Sequence, residues 1–155
     1  VLQKKIKLNK SLKKYFKTKY FHPILYRNFT KKLLLFANTS IDISDGLISD
    51  LEKMINKQKL SYKIYLETIP ISNNLKKLID LKIANKISSI THGDDYQILF
   101  TASPLKSRII SKISKSLGIK ISKIGKICNH SQKSQVINEK NEKIALKNKG
   151  YFHRF

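Results

Sequence analysis

A chain of 155 residues that is 41% hydrophobic is the size of one domain with one ordinary core, which leaves no room for two full domains. Its single cysteine, Cys128, excludes an internal disulfide and a sulfur-rich metal site, and His22, His92, His130 and His153 are too scattered for a zinc site. The net charge of +22 points first to a nucleic-acid or anionic partner, but lysine supplies 29 of the 32 cations, and base and phosphate recognition favours the arginine fork. Lysines scattered beside abundant Ile, Asn and Ser fit the drift of an A+T-rich genome, so solvated lysine faces are expected rather than a nucleic-acid interface.

The start, Val1 to Lys5, lacks an apolar signal core and arginines, and the longest apolar run, Leu33 to Ala37, is far below the ~20 residues of a membrane helix. A cytoplasmic protein with no membrane partner is expected. From Leu2 to Tyr20, apolar residues at Ile6, Leu8, Leu12, Tyr15 and Phe16 have loose helical spacing that stops before His22-Pro23. Thr30 is a candidate cap for a helix carrying Leu33 to Phe36, and Ser40 to Ile43 reads as a short strand. After Gly46, the positions Leu47, Ile48, Leu51, Met54 and Ile55 form one face of a helix. Tyr62 to Leu66 is a strand, Pro70 to Ser72 a turn, and Leu75, Leu78, Ile79 and Ile83 a helical stripe.

Tyr96 to Thr101 is a further strand. Ser103-Pro104 then supplies a cap and a first-turn proline, Leu105, Ile109, Ile113 and Leu117 make a stripe every four residues, and Gly118 suits the helix C-terminus. Ile119 and Ile121 alternate into a strand near Ile124 to Ile127, and 129–134 is loop-like. Alternating strands and helices imply an α/β fold with a sheet covered by helices.

Ten acidic residues are present, and five of them, Asp42, Asp45, Asp50, Asp94 and Asp95, lie in or beside two short clusters near turns, as expected for divalent-cation binding. In Asp42-Ile43-Ser44-Asp45-Gly46, strand alternation puts Asp42 and Ser44 on one face, and Asp45 falls where the next helix would be capped. Two readings stand side by side. Either Asp45 is an ordinary N-cap, or the carboxylates hold Mg²⁺ while the helix N-terminus offers N–H groups to a phosphate. Gly93-Asp94-Asp95 sits at the mouth of the 96–101 strand, where one acid could meet a cationic substrate and the other hold the turn. The Gly150 to Phe155 tail is aromatic, either a satellite of the core or a face for a planar or cationic ligand. There is no Gly-x-Ser-x-Gly elbow, no Cys with a His partner and no Walker-type loop.

Taken in order, Asp42-Ile43-Ser44-Asp45-Gly46-Leu47, Ile69-Pro70-Ile71-Ser72, Gly93 to Phe100, Ile124-Gly125-Lys126-Ile127 and Gly150-Tyr151 resemble the landmarks of the thiamine-monophosphate kinase family, from about His22 to the chain end. That family shares a two-domain α/β architecture with aminoimidazole ribonucleotide synthetase and selenophosphate synthetase. The resemblance implies that 22–155 is the C-terminal domain, with 1–21 a linker helix or a remnant of the interdomain connection. It implies transfer of the ATP γ-phosphoryl to thiamine monophosphate, giving thiamine diphosphate. Mg²⁺ would be held by Asp42 and Asp45, ATP phosphates by Ser44, and substrate by Asp94 and Tyr151. Asp94 replaces a family Glu, Gln58 to Tyr62 replaces a Ser-Gly-Val-Gly-Ala-like stretch with loss of both glycines, and His92 replaces the first glycine of Gly-Gly-Glu-Asp. The family's N-terminal domain, with further Mg²⁺ ligands and a dimer surface, is the implied partner, and this half alone is expected to be weak or inactive. The alternatives are a non-catalytic remnant that binds thiamine phosphates and, less favoured, a basic nucleic-acid-binding protein.

Overall fold

A two-stranded antiparallel ribbon separates two hydrophobic cores, and its sequence explains how. The computed structural model describes residues 8–55, 58–93 and 95–150. In it, β1 (Ala37–Asp42) pairs antiparallel with β3 (Ile98–Ala102), from Ala37 opposite Ala102 to Asp42 opposite Ile98. Successive side chains on a strand face opposite ways, so Ile98, Phe100 and Ala102 enter one core and Leu99 the other. On β1 the register shifts between Ala37 and Thr39, and such a bulge changes which face a residue serves. Ala37 accordingly packs in the core of Phe100, whereas Ile41 and Ile43 pack in that of Leu99.

The Phe100 core is closed by α2 (Arg27–Leu33) and α6 (Ser107–Leu117), through Phe29, Phe36 and Ile113. Phe36 meets Phe100 edge-on at 5.2 Å between ring centroids, a geometry that suits the aromatic quadrupole. Leu105, Ile109, Ile113 and Leu117 divide as the helix does. The last three pack in this core, while Leu105 lies exposed in the 3₁₀ turn Pro104–Lys106, where Ser103 Oγ accepts from the Leu105 N–H. Gly118 ends α6 at φ 60°, the left-handed conformation expected there.

The Leu99 core lies between the ribbon, α3 (Leu47–Met54) and a four-stranded sheet ordered β4-β2-β5-β6: β4 Gly125–Asn129, β2 Leu60–Tyr65, β5 Gln135–Ile137 and β6 Lys143–Ile144. Among the described residues only β2 and β5 pair in parallel, so the strands form two mainly antiparallel sheets rather than one. Two short helices follow β2: α4 (Asn73–Asp80), capped by Ser72, and α5 (Lys86–Ile90), capped by Asn85. The first helix, α1 (Lys10–Phe21), stops before His22-Pro23 as its spacing predicts, and it buries no residue.

Two local expectations are corrected. Thr30 is no cap: it lies inside α2, and its hydroxyl donates to Arg27 O, because Leu33 to Phe36 ends that helix instead of beginning one. Ile119 and Ile121 are not in a strand; they pack against the Phe100 core, and the strand begins only at Gly125. Among the described residues, no helix is long and apolar enough to cross a membrane.

Candidate functional site

The segment after β1 is a tight turn, and its shape is set by one buried carboxylate. Asp50 lies in the first turn of α3, three residues after Leu47 and four before Met54, on the buried stripe of that helix. A bare carboxylate there would cost several kcal/mol. Instead Asp50 Oδ2 accepts from the N–H groups of Ser44 at 2.9 Å, Asp45 at 2.9 Å and Gly46 at 3.2 Å, while Oδ1 accepts from Lys53 Nζ at 2.7 Å. Burial opposes ionisation, but the Lys53 ammonium and the Asp45 and Ser44 amides outweigh it and hold the carboxyl below its ordinary range.

This arrangement excludes the ordinary N-cap reading of Asp45. The N-cap position is Gly46, at φ 127°, and no side chain caps α3. The Asp45 carboxylate is instead hydrogen-bonded to Lys53 Nζ at 2.5 Å, so Lys53 spans Asp45 and Asp50, which raise its own pKa in that order. Part of the amide row at this helix start is already used. The amides of 44, 45 and 46 are turned in to Asp50, and that of Ser49 is donated to Lys149 O at 2.9 Å. Asp42, the last residue of β1, and Ser44 are both exposed, with buried Ile43 between them, as strand alternation predicts.

Two glycines distant in sequence, Gly93 and Gly150, meet this turn, which has one of its own at Gly46. Gly46 lies against the backbone of Thr91 and His92, where an added Cβ would be 3.1 Å from Thr91 C. A Cβ on Gly93 would fall 1.8 Å from Ser44 O, and one on Gly150 2.3 Å from Ser49 Cβ and 2.8 Å from Asp45 O. Glycine is required at 93 and 150 by this proximity. The 95–97 segment is tied in by Tyr96 N–H to Ile43 O and Ile43 N–H to Gln97 O. The C-terminal segment is tied to α3 by the Lys149–Glu52 ion pair at 2.8 Å, and Glu52 also accepts from Tyr62 OH at 3.0 Å. Burial, then the Glu52 charge and hydrogen bond, push the Tyr62 phenol well above its ordinary value.

Of the sequence-predicted site residues, Asp42, Ser44 and Asp45 thus lie together on one strand end and turn. Asp94 and Tyr151 lie outside the described residues; their neighbours Gly93 and Gly150 are packed on that turn. Among the described residues, no group of three or more His, Cys, Asp or Glu side chains is gathered closely enough to hold a metal by itself. Sequence reasoning counted Asp50 only among the clustered acids that are candidates for divalent-cation binding, and assigned no role to Lys53 or Glu52. For Asp50 a signal existed, an acid on the apolar stripe of α3; the other two are ordinary helix-surface residues whose partners only folding reveals.

The fold is that of solved thiamine-monophosphate kinases. The chain superposes on one from Stenotrophomonas maltophilia K279a with a TM-score of 0.73 at 23% identity, covering 85% of this chain and 40% of that one. It superposes on AaThiL, solved in complex with AMPPCP and TMP, with a TM-score of 0.70 at 23% identity, covering 97% of this chain and 45% of that one. No protein-family model matches the sequence. The thiamine-monophosphate kinase of Buchnera aphidicola from Schizaphis graminum is 34% identical over 155 residues, 99% of this chain and 47% of that protein. The chain is thus similar to thiamine-monophosphate kinases over nearly its whole length and spans about half the length of the curated relatives it matches.

Proposed function

We propose that this chain forms the C-terminal half of a thiamine-monophosphate kinase, which transfers the γ-phosphoryl of ATP to thiamine monophosphate and yields thiamine diphosphate. The observation that carries the reading is the convergence on one turn of three segments that resemble family landmarks: 42–47, the segment from Gly93, and Gly150. Phosphoryl transfer needs positioned charge more than covalent help, so a rigid turn bearing carboxylates is suitable equipment. In this reading Asp42 and Asp45 hold Mg²⁺, Ser44 meets the ATP phosphates, and Asp94 and Tyr151 meet the thiamine substrate.

The donor set suits that ion. Mg²⁺ takes one or two carboxylates and completes its shell with water and phosphate oxygens, and it would share the Asp45 carboxylate with Lys53. When bound, Mg²⁺ would neutralise charge on the transferring phosphoryl group. The second half of the kinase, supplied in the same chain or separately, completes the site, and the whole enzyme is read as a cytoplasmic homodimer. The test is to mix this chain with the N-terminal half of the Buchnera relative, ATP, Mg²⁺ and thiamine monophosphate. Thiamine diphosphate is the expected product; a stable complex that forms none contradicts the proposal.

A further inference from the structure

The geometry points to Asp50 as the positioning residue of the Ser44 to Gly46 turn, fixing the backbone from which the side chains of Ser44 and Asp45 project. In an ordinary helix start, a side chain before the helix reaches forward to cap its first amides. Here the direction is reversed. A side chain already on α3 reaches back to three successive amides that precede the helix, while its own N–H is donated to Gly46 O at 3.0 Å. The turn is therefore clasped from both backbone and side chain by one residue.

Two features separate this clasp from generic core packing. Asp50 is fully buried among Leu47, Ile48, Leu51 and Met54, where apolar packing alone would be served better by a leucine. A leucine would leave three backbone N–H groups without the acceptor they now use. Moreover Lys53 joins Asp50 to Asp45, so the same carboxylate that shapes the turn also restrains the direction of the Asp45 side chain. The inference rests on the kinase reading only in giving the turn a part in phosphoryl transfer; the clasp itself can be tested without nucleotide.

The experiment is amide hydrogen exchange by NMR on the full chain, with Mn²⁺ added afterwards as a paramagnetic probe of the Mg²⁺ site. In the wild type, the amides of Ser44, Asp45 and Gly46 exchange slowly although they precede the helix. Asp50→Asn, which keeps the shape but loses the charge, speeds them about tenfold or more while Tyr62 and Ile64 in β2 stay protected. Mn²⁺ broadens the Gly46 and Gly93 signals in the wild type and much less in Asp50→Asn. Ser72→Ala, which uncaps α4, lowers stability but changes neither readout. If the wild-type amides at 44–46 exchange as fast as that of the exposed Lys133, the inference is overturned, whether or not the variant folds. Undiminished broadening in an Asp50→Asn chain whose turn has loosened overturns the positioning role. If Mn²⁺ broadens nothing in the wild type, the metal assignment of the kinase reading fails, and the exchange comparison alone decides Asp50.

Discussion

Gly93 and Ser44 approach so closely that a methyl group on residue 93 would fall 1.8 Å from the Ser44 carbonyl oxygen. The obstacle is backbone rather than a flexible side-chain end, so neither partner can yield without moving the turn. Gly93→Ala should therefore destabilise the chain by about 1–3 kcal/mol and shift the amide signals of 44–46. Gly118→Ala is the contrast: its φ of 60° is unfavourable to alanine, but a Cβ there meets nothing within 4 Å. It should cost about 1 kcal/mol and leave the turn undisturbed. Urea unfolding and an NMR spectrum of each variant distinguish the two; matching spectra would refute the close contact.

Lys59, in the stretch where the resemblance implies a lost glycine, stands at φ 49°, in the left-handed region. An L side chain is strained there by about 1–2 kcal/mol, against which glycine's larger unfolded entropy sets a smaller cost. Lys59→Gly should raise stability by about 0.5–1 kcal/mol, seen as a higher urea midpoint with an unchanged slope. A lower midpoint would mean that the loop has adapted to lysine. Two residues on, Ser61 is buried and its hydroxyl is satisfied by donating to Asn129 O on β4.

The Asp50 clasp also gives stability a pH dependence with a definite sign. Its carboxyl titrates below the ordinary 3.8 in the folded chain, so its contribution is complete above that value and is lost as pH falls through the folded value. Between neutral pH and about pH 3, the wild type should lose stability more steeply than Asp50→Asn. Urea midpoints measured at half-unit intervals check this, and parallel curves would show that Asp50 carries no such linkage.

Much of this was legible because it is local. The stripe from Leu47 to Ile55, the Gly118 terminus and the Ser40 to Ile43 strand follow from periodicity and turn chemistry, and the structure has all three. What escaped depends on distant partners. β5 and β6 are short, three and two residues, and exist by virtue of pairing with β2 and with each other. The five-residue α5 offers too few turns for a periodic signal. At the site, the sequence placed Asp42, Ser44 and Asp45 together, but Asp45 had two readings because spacing does not reveal that Asp50 would take the amides and Lys53 the carboxylate.

The central claim is that the turn bearing Asp45 is the working centre of a half-enzyme, and Asp45→Asn tests it most directly. Its ion pair with Lys53 is partly exposed and adds little stability, so the variant should fold and join the complementary half as the wild type does. Thiamine diphosphate formation by the two reconstituted complexes is then compared at equal complex concentration. The account predicts product from the wild type and none above background from Asp45→Asn; equal rates from the two would contradict it.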